Sequence, residues 1–301
     1  MQAPSPLIDR ASLERLERLS VRWNRSFAGL LGGRNVSRRA GVGHEFLDHR
    51  NYHHGDDLRS INWRAYLRLE RLFLKMFRTE PRTPIRILLD VSESMSCGGE
   101  SGGEPKFSYA CRLAAALCYV GLVRLETIVI YPFSDRLFES FRAQGGRHRY
   151  ARAADFLEHL ETGGKSDLAS VVRSFSIDVT APGPTIVISD FLDEGDTPAA
   201  LQRLAAEGHE LALVQLIAAE DRLPPWDGEL EIEDAETGQT LHVQLDRETA
   251  EAFAVDFDAY SAAIEKVALR HEGRYIRLDT NVSIEDALYS SLTRAGALSA
   301  Q

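Results

Sequence analysis

The sequence contains few cysteines and no long apolar run. Three cysteines in 301 residues are too few for a disulfide framework, which argues against a small disulfide-stabilised secreted domain. No stretch approaches the roughly 20 apolar residues that cross a bilayer. The N-terminus has no apolar core after a basic start, so it does not resemble a secretory signal. We therefore expect a cytoplasmic protein.

Charge is distributed unevenly along the chain. Residues 1–82 contain 16 Lys and Arg against 9 Asp and Glu, a net charge of +7, whereas the remainder has a net charge of −17. A basic segment can bind nucleic acid or an anionic membrane surface, and it can also dock onto an acidic part of its own chain. We favour docking, because the basic residues are scattered among Trp, Tyr and Leu rather than grouped.

Short apolar segments alternate with helical patterns after Pro84. Strands are predicted at 85–89, 126–132, 136–141, 185–189, 210–217 and 274–278. Helices are predicted at 9–23, 107–124, 151–161, 167–176, 197–207, 249–271 and 283–294. This alternation predicts an α/β fold with a doubly wound, mostly parallel sheet and helices on both faces. The segment 136–141 follows too short a turn for a crossover and is predicted as an antiparallel edge strand, and residues 228–246 as an inserted β-hairpin.

Carboxylates and hydroxyls follow the apolar strands where each strand ends. Asp90, Ser92 and Ser94 follow one strand, and Asp190 follows another. Because ligands collect beyond the carboxyl ends of parallel strands, we expect these residues to converge, together with the loop that contains Ser166 and Asp167. Oxygen ligands without imidazole or thiolate suit Mg²⁺ or Mn²⁺. The alternative is a simple turn-and-cap pattern, in which Asp and Ser satisfy backbone donors.

These motifs resemble the von Willebrand factor A-type (vWA) fold with its metal-ion-dependent adhesion site. The residues that carry the resemblance are "DVSESM" after an apolar strand, the Gly-Gly loop with Ser166, and "ISDF". The resemblance implies that the metal ligands are Asp90, Ser92, Ser94, Ser166 and Asp190. A threonine is usual in the second loop of that family, so Asp167 is a possible ligand in place of Ser166.

The segment upstream of the first strand resembles the bacterial family catalogued as domain of unknown function 58 (DUF58). The signature Arg-x-Tyr-x-x-Gly-Asp-Asp-x-Arg-x-Ile-x-Trp is matched by Arg50, Tyr52, Gly55, Asp56, Asp57, Arg59, Ile61 and Trp63. The resemblance implies an adaptor that works with a MoxR-type AAA+ ATPase and has no established enzymatic activity. It also implies two parts: residues 1–82, an N-terminal helix and signature segment that packs on the core, and residues 83–301, a vWA-like domain.

Our leading hypothesis is therefore a non-enzymatic, Mg²⁺-dependent interaction module whose open metal position takes an Asp or Glu from a protein partner. The signature residues are expected to clamp the N-terminal segment onto the sheet domain, or to form a patch that faces the partner. Two alternatives stay open at this point. One is a metal-dependent hydrolase that uses Asp90 and Asp190. The other is a binder of nucleic acid or a membrane surface through the basic N-terminal segment.

Overall fold

The computed structural model describes residues 7–22, 45–53, 61–78, 83–99 and 103–300. The chain divides into two compact units, a larger one formed by Met1–Arg25 and Pro84–Gln301 and a smaller one formed by Ser26–Thr83. Residues 1–82 are predicted to pack on the core as one part; residues 1–25 of them belong to the larger unit, and the packing of the rest stays a prediction. The signature residues Gly55, Asp56, Asp57 and Arg59 lie outside the described residues.

The described segments contain the following strands and helices. The strands are β1 Leu19–Val21, β2 Glu45–Asn51, β3 Phe73–Arg78, β4 Ile85–Asp90, β5 Thr127–Phe133, β6 Phe141–Gln144, β7 Pro184–Ser189, β8 Glu210–Ile217, β9 Gly228–Glu233, β10 Thr240–Leu245, β11 Arg274–Asp279 and β12 Leu298–Ala300. The α-helices are α1 Arg10–Leu16, α2 Trp63–Leu69, α3 Lys106–Val123, α4 Tyr150–Glu158, α5 Leu168–Asp178, α6 Thr197–Ala206, α7 Ala219–Arg222, α8 Arg247–Arg270 and α9 Ile284–Asp286. Short 3₁₀ turns lie at Glu93–Ser96 and Arg147–Arg149, and a π-helical turn at Ala287–Leu292 follows α9.

The central sheet of the larger unit has six strands in the order β11-β8-β7-β4-β5-β6. The first five strands are parallel, and β6 pairs antiparallel with β5 at the edge. The predicted α/β class, the mostly parallel sheet and the antiparallel edge strand are therefore confirmed. The edge strand lies at 141–144 rather than at 136–141, because residues after Phe133 first form a loop.

Apolar side chains on both faces explain why the central strands form. On one face, Ile87, Leu89 and Ile188 pack in the core cluster that contains most of α3. On the other face, Leu88 and Val187 pack with buried side chains of α5, α6 and α8. Strands that are buried on both faces are continuously apolar, and these strands accordingly form a rigid base for the loops that follow Asp90 and Ser189.

Helix α3 is apolar all round because it lies inside the fold. By length and composition alone its 18 residues are apolar enough to cross a membrane, but 78% of this stretch is buried inside the protein. A core helix covered on most sides has this composition. Its first residue, Lys106, is an exception, because this charged side chain is also buried.

The N-terminal helix is shorter than the sequence pattern predicts. Helix α1 begins after the cap Asp9 and ends at Leu16, and the chain then forms β1, which pairs antiparallel with β12 near the C-terminus. Leu16 and Leu19 are both buried in the main core cluster. Their burial explains the apolar spacing that predicts a helix over 9–23, although Leu19 lies on a strand.

Two antiparallel strand pairs lie outside the central sheet. In the smaller unit β2 pairs with β3, and α2 lies between them in the chain. In the larger unit β9 and β10 form the predicted β-hairpin, with Gly228 opposite Leu245 and Glu233 opposite Thr240. The turn of this hairpin, residues 234–239, reaches the loops described next.

Candidate functional site

The candidate site lies at the carboxyl ends of β4 and β7, which are neighbours in the sheet. Asp90 is the last residue of β4, and Asp190 follows the last residue of β7. The second loop is attached to the first by two backbone hydrogen bonds, from Glu93 N to Gly164 O at 3.0 Å and from Gly163 N to Val91 O at 2.8 Å. The structure thus brings together the three loops that the sequence predicts to converge.

Asp90 is completely buried and accepts hydrogen bonds on both carboxylate oxygens. Its Oδ1 accepts from the Ser92 amide at 2.9 Å and from Ser92 Oγ at 2.7 Å. Its Oδ2 accepts from Ser189 Oγ at 2.6 Å. Asp90 therefore orients two hydroxyl groups, and Ser189 is a site residue that the sequence analysis missed although it directly precedes Asp190.

The electrostatics around Asp90 favour a cation. Burial, followed by the charge of Asp190, raises the pKa of Asp90 to about 7, although the hydrogen bonds from Ser189 and Ser92 oppose this shift. Two carboxylates in a buried place repel each other, and a positive charge near them relieves that repulsion. The chain supplies one such charge itself.

That charge is the ammonium group of Lys106, which is buried at the start of α3. Its Nζ donates to Asp190 Oδ2 at 2.7 Å and lies 3.2 Å from Asp221 Oδ2. Burial alone would lower the pKa of Lys106, but the charges of Asp190 and Asp221 outweigh it and raise the pKa above its ordinary value. Lys106 is therefore charged, and one oxygen of Asp190 is already paired with it.

The loop after Asp190 has an unusual backbone. Phe191 has a φ of +59°, in the left-handed region that side chains other than glycine rarely adopt. Its amide donates to Ser189 Oγ at 2.8 Å, and its carbonyl accepts from Tyr260 Oη at 2.7 Å. These contacts hold the strained residue and fix Asp190 against the sheet.

Ser92 and Ser94 place two hydroxyl oxygens side by side. Ser92 is buried, and its Oγ lies 3.1 Å from Ser94 Oγ. Because the Ser92 hydroxyl donates its hydrogen to Asp90, its lone pairs point elsewhere. The arrangement can therefore offer two neutral oxygen donors to one cation.

In the second loop, Ser166 and Asp167 have different roles. Asp167 caps α5, because its Oδ1 accepts from the Ser170 amide at 2.9 Å and its Oδ2 from Ser170 Oγ at 2.6 Å. Although burial opposes it, these hydrogen bonds lower the pKa of Asp167. Its carboxylate is thus committed to the helix, and Ser166, which is buried, is the better placed candidate ligand.

A carboxylate that the sequence analysis did not predict reaches the same loops. Glu236 lies in the turn of the β9–β10 hairpin, and its Oε1 accepts a hydrogen bond from the Ser166 amide at 3.2 Å. Glu236 and Ser94 line the same cleft, and burial above all raises the pKa of Glu236. Nothing in the acidic sequence around Glu236 distinguishes it from Glu233 or Asp234, so only the fold identifies it.

The donor set fits a hard divalent cation. Two adjacent ligands of an octahedral Mg²⁺ ion, each about 2.1 Å from it, lie about 3 Å apart, and Ser92 Oγ and Ser94 Oγ are 3.1 Å apart. Within the described residues, no group of three or more His, Cys, Asp or Glu side chains could hold a metal. A metal at this site would therefore depend on the serine hydroxyls, with Asp90 and Asp190 supplying the negative charge.

The signature residues that the structure describes belong to the smaller unit. Arg50 Nη1 lies 2.9 Å from His53 Nδ1, and Tyr52 is half-buried. Trp63 begins α2, is 58% exposed and packs edge to face with Tyr66. Whether these residues clamp the segment or face a partner stays a prediction.

The six-stranded sheet with its antiparallel edge and the three converging loops define a protein with a vWA-like fold. A solved von Willebrand factor type A protein from Catenulispora acidiphila is similar to this chain, with 16% identity, a TM-score of 0.33 and coverage of 65% of this chain and 45% of that one. The family model described as "Protein of unknown function DUF58" matches residues 48–263. The chain therefore belongs to the DUF58 family, as the signature predicts.

Other proteins are also similar to this chain. The chain is 22% identical over 254 residues to the uncharacterized protein Rv1480 of Mycobacterium tuberculosis, a match that covers 83% of this chain and 79% of the relative. The solved structure of BatB from Bacteroides thetaiotaomicron is 19% identical to this chain, with a TM-score of 0.43. The match covers 71% of this chain and 98% of BatB. The solved structure of an aerotolerance-related membrane protein from Bacteroides fragilis is 18% identical to this chain, with a TM-score of 0.40. The match covers 70% of this chain and 99% of that protein.

These comparisons correct the predicted location. The cytoplasmic location was expected because the sequence shows no signal peptide and no long apolar run. A solved neighbour is named as a membrane protein, which contradicts that expectation. The prediction of a cytoplasmic protein is therefore withdrawn.

Proposed function

We propose that the protein is an interaction module that binds Mg²⁺, or Mn²⁺, through its serine hydroxyls and so captures a carboxylate of a protein partner. Membership of the DUF58 family and the vWA-like fold favour an adaptor or interaction module. The observation that supports the metal is the pair of hydroxyls of Ser92 and Ser94, 3.1 Å apart, with the Ser92 hydrogen directed to Asp90.

In this proposal Ser92, Ser94 and Ser166 provide neutral oxygens, and Asp90 and Asp190 provide negative charge. Bound there, the metal would supply a positive charge that attracts an outside carboxylate. Asp90 orients the Ser92 hydroxyl, and Lys106 holds one oxygen of Asp190. The partner that the family resemblance implies is a MoxR-type AAA+ ATPase.

Glu93 and Asp193, the two acidic side chains that the loops themselves offer as a general base, do not favour the hydrolase alternative. Asp193 accepts from the Leu168 amide at 3.1 Å and from the Thr197 hydroxyl, so its carboxylate is held by the first residues of α5 and α6. Glu93 accepts from Ser96 Oγ at 3.3 Å, on the exposed side of the 3₁₀ turn. Since both carboxylates are engaged in local contacts, neither is placed as a general base beside Asp90 and Asp190.

Thermal melting of the native chain with and without Mg²⁺ tests the metal site. A ligand at 100 times its dissociation constant stabilises the folded state by about 2.7 kcal/mol, so we expect the melting temperature to rise by several degrees. The double variant Ser92→Ala and Ser94→Ala should lose this rise, because it loses both hydroxyl donors.

Ser96→Ala is the matched control for this experiment. Ser96 lies in the same turn, but its hydroxyl donates to Glu93 O at 2.7 Å and takes no part in the contacts of Asp90. This variant should keep the full Mg²⁺ effect. An absent shift in the native protein, or an equal shift in the double variant, would contradict the metal site.

A further inference from the structure

The hairpin carboxylate of Glu236 lies on the two loops that carry the candidate hydroxyl ligands. It accepts a hydrogen bond from the Ser166 amide at 3.2 Å and lines the same cleft as Ser94. Ser166 is 70 residues away in the chain, so this contact is part of the tertiary fold and not a local turn. A carboxylate at this position is the chemical group that the proposed function assigns to the partner.

The hairpin turn is built to present this side chain. Asp234 Oδ1 accepts from the Glu236 amide at 2.8 Å and from the Thr237 amide at 3.1 Å. Gly238 closes the turn with a φ of +66°, a conformation that favours glycine. From residue 231 to residue 240, Glu236 alone is not exposed. The turn is therefore shaped by its own hydrogen bonds, and Glu236 is its point of contact with the site.

The rest of the hairpin is loosely attached. Among the strands that the structure describes, β9 and β10 pair only with each other, and they are largely exposed on both faces. A two-stranded hairpin is marginally stable by itself and adds little to the stability of a sheet that it does not join. The turn can therefore leave the site without breaking a pairing of the central sheet.

A cleft next to the contact gives an incoming group access to the site. It has a volume of about 550 Å³, and residues 233–236 of the hairpin line one side. Ser94, Lys106 and Asp221 are among the residues that line the remainder. The hairpin therefore forms one wall of a cleft that leads to Ser94, and its movement would widen that approach.

We propose that Glu236 is an internal occupant of the position that a partner's carboxylate takes. The hairpin then competes with the partner and must lift from the Ser94 and Ser166 loops before the partner binds. This inference rests on the proposed function, because it assumes that the site receives a carboxylate. It adds that the resting protein supplies that carboxylate from its own chain.

Peptide binding to full-length variants tests the proposal. The probe is a fluorescent, backbone-cyclised peptide of residues 228–245, whose end residues lie opposite each other in the hairpin. In the presence of Mg²⁺, Glu236→Gln should bind the peptide at least about tenfold more tightly than the native chain. In the native chain only those molecules whose hairpin has left the site can bind the peptide, and the apparent affinity falls in proportion to their fraction. The same peptide carrying Glu236→Gln should not bind. Fluorescence anisotropy gives both affinities.

Glu231→Gln is the matched control, because Glu231 is exposed on the same hairpin and the substitution removes the same charge. It should bind the peptide as weakly as the native chain. Hydrogen exchange at the Ser166 amide is an independent readout without added metal: it should be faster in Glu236→Gln than in Glu231→Gln, and equal exchange would overturn the proposal.

The outcomes separate this proposal from the proposed function. If Mg²⁺ stabilises the native chain but the peptide binds the native chain and Glu236→Gln equally, the internal occupant is refuted and the metal site stands. If Glu236→Gln alone loses stabilisation by Mg²⁺, Glu236 is a permanent ligand and the proposal is also refuted. If Mg²⁺ stabilises neither protein, the proposed function fails and this inference fails with it.

Discussion

At the scale of single residues, the balance of charge at the site depends on Lys106. Its ammonium is 2.7 Å from Asp190 and 3.2 Å from Asp221, and its side chain is 2% exposed. A buried ion pair contributes little net stability compared with an apolar pair, but removal of one partner leaves an uncompensated charge. Asp190 and Asp221 therefore depend on Lys106 more than an exposed pair depends on its partner.

We predict that Lys106→Met lowers the free energy of unfolding by about 3–5 kcal/mol, the cost of breaking a buried ion pair. Urea unfolding followed by circular dichroism measures this loss. Arg247→Met is the control, because Arg247 pairs with Glu251 at 2.8 Å while 92% exposed, and it should leave stability nearly unchanged. Similar effects of the two substitutions would show that the Lys106 pairs are not energetically important.

His209 is a second buried residue whose charge state affects stability. Its Nδ1 lies 3.3 Å from Gly183 O and 3.2 Å from Thr185 Oγ1, at the end of the sheet away from the site. Burial, followed by the charge of Arg86, lowers the pKa of His209 to about 4. In the unfolded chain the pKa of histidine is near 6.5, so below that pH the unfolded state binds a proton that the folded state excludes.

We therefore predict that the contribution of His209 is present above pH 6.5 and is lost as the pH falls from about 6.5 to about 4, by roughly 3 kcal/mol in total. Urea unfolding between pH 7 and pH 4.5 measures the free energy of unfolding of the native chain and of His209→Gln. The variant should lack this loss, and the titration of carboxylates affects both proteins equally and cancels in their difference. The exposed His242, changed to Gln, should behave like the native chain. Equal pH dependence of the native chain and His209→Gln would contradict this explanation.

At the scale of elements, the sequence predicts those strands of the central sheet that are buried on both faces. The strands β4 and β7 are buried along their whole length and mostly apolar, because helices cover both of their faces. Their carboxyl ends could be placed at one edge of the sheet, which is why the positions of Asp90 and Asp190 followed from the pattern. The pairing of β1 with β12 could not be predicted, because three-residue strands from opposite ends of the chain leave no periodic pattern.

The same limit applies to the site. Ser189, Lys106 and Glu236 come from three elements and meet the predicted residues only through tertiary contacts. A lysine at the start of a largely apolar helix was a usable signal for Lys106, because a charge in a buried helix needs a partner. No comparable signal marked Glu236, since acidic residues are common throughout the hairpin.

At the scale of the whole molecule, the family is defined across both units. The DUF58 match spans residues 48–263, which include most of the smaller unit as well as the candidate site in the larger one. A function shared by the family is therefore best tested on the full chain. Only the full chain contains both the basic residues 1–82 and the acidic remainder, so any effect of this charge difference on binding also requires the full chain.

We predict that the full chain binds a MoxR-type AAA+ ATPase and that the double variant Ser92→Ala and Ser94→Ala weakens this binding at least about tenfold, as expected when a charged contact at an interface is lost. Because such ATPases themselves use Mg²⁺ with nucleotide, the comparison is made between variants at one fixed Mg²⁺ concentration and not by removing the metal. Surface-immobilised ATPase and soluble chain variants give the dissociation constants. Ser96→Ala should bind like the native chain, since the hydroxyl of Ser96 hydrogen-bonds Glu93 and not the candidate ligands. Equal binding by all three chains would show that the Ser92–Ser94 pair does not form the contact with this partner.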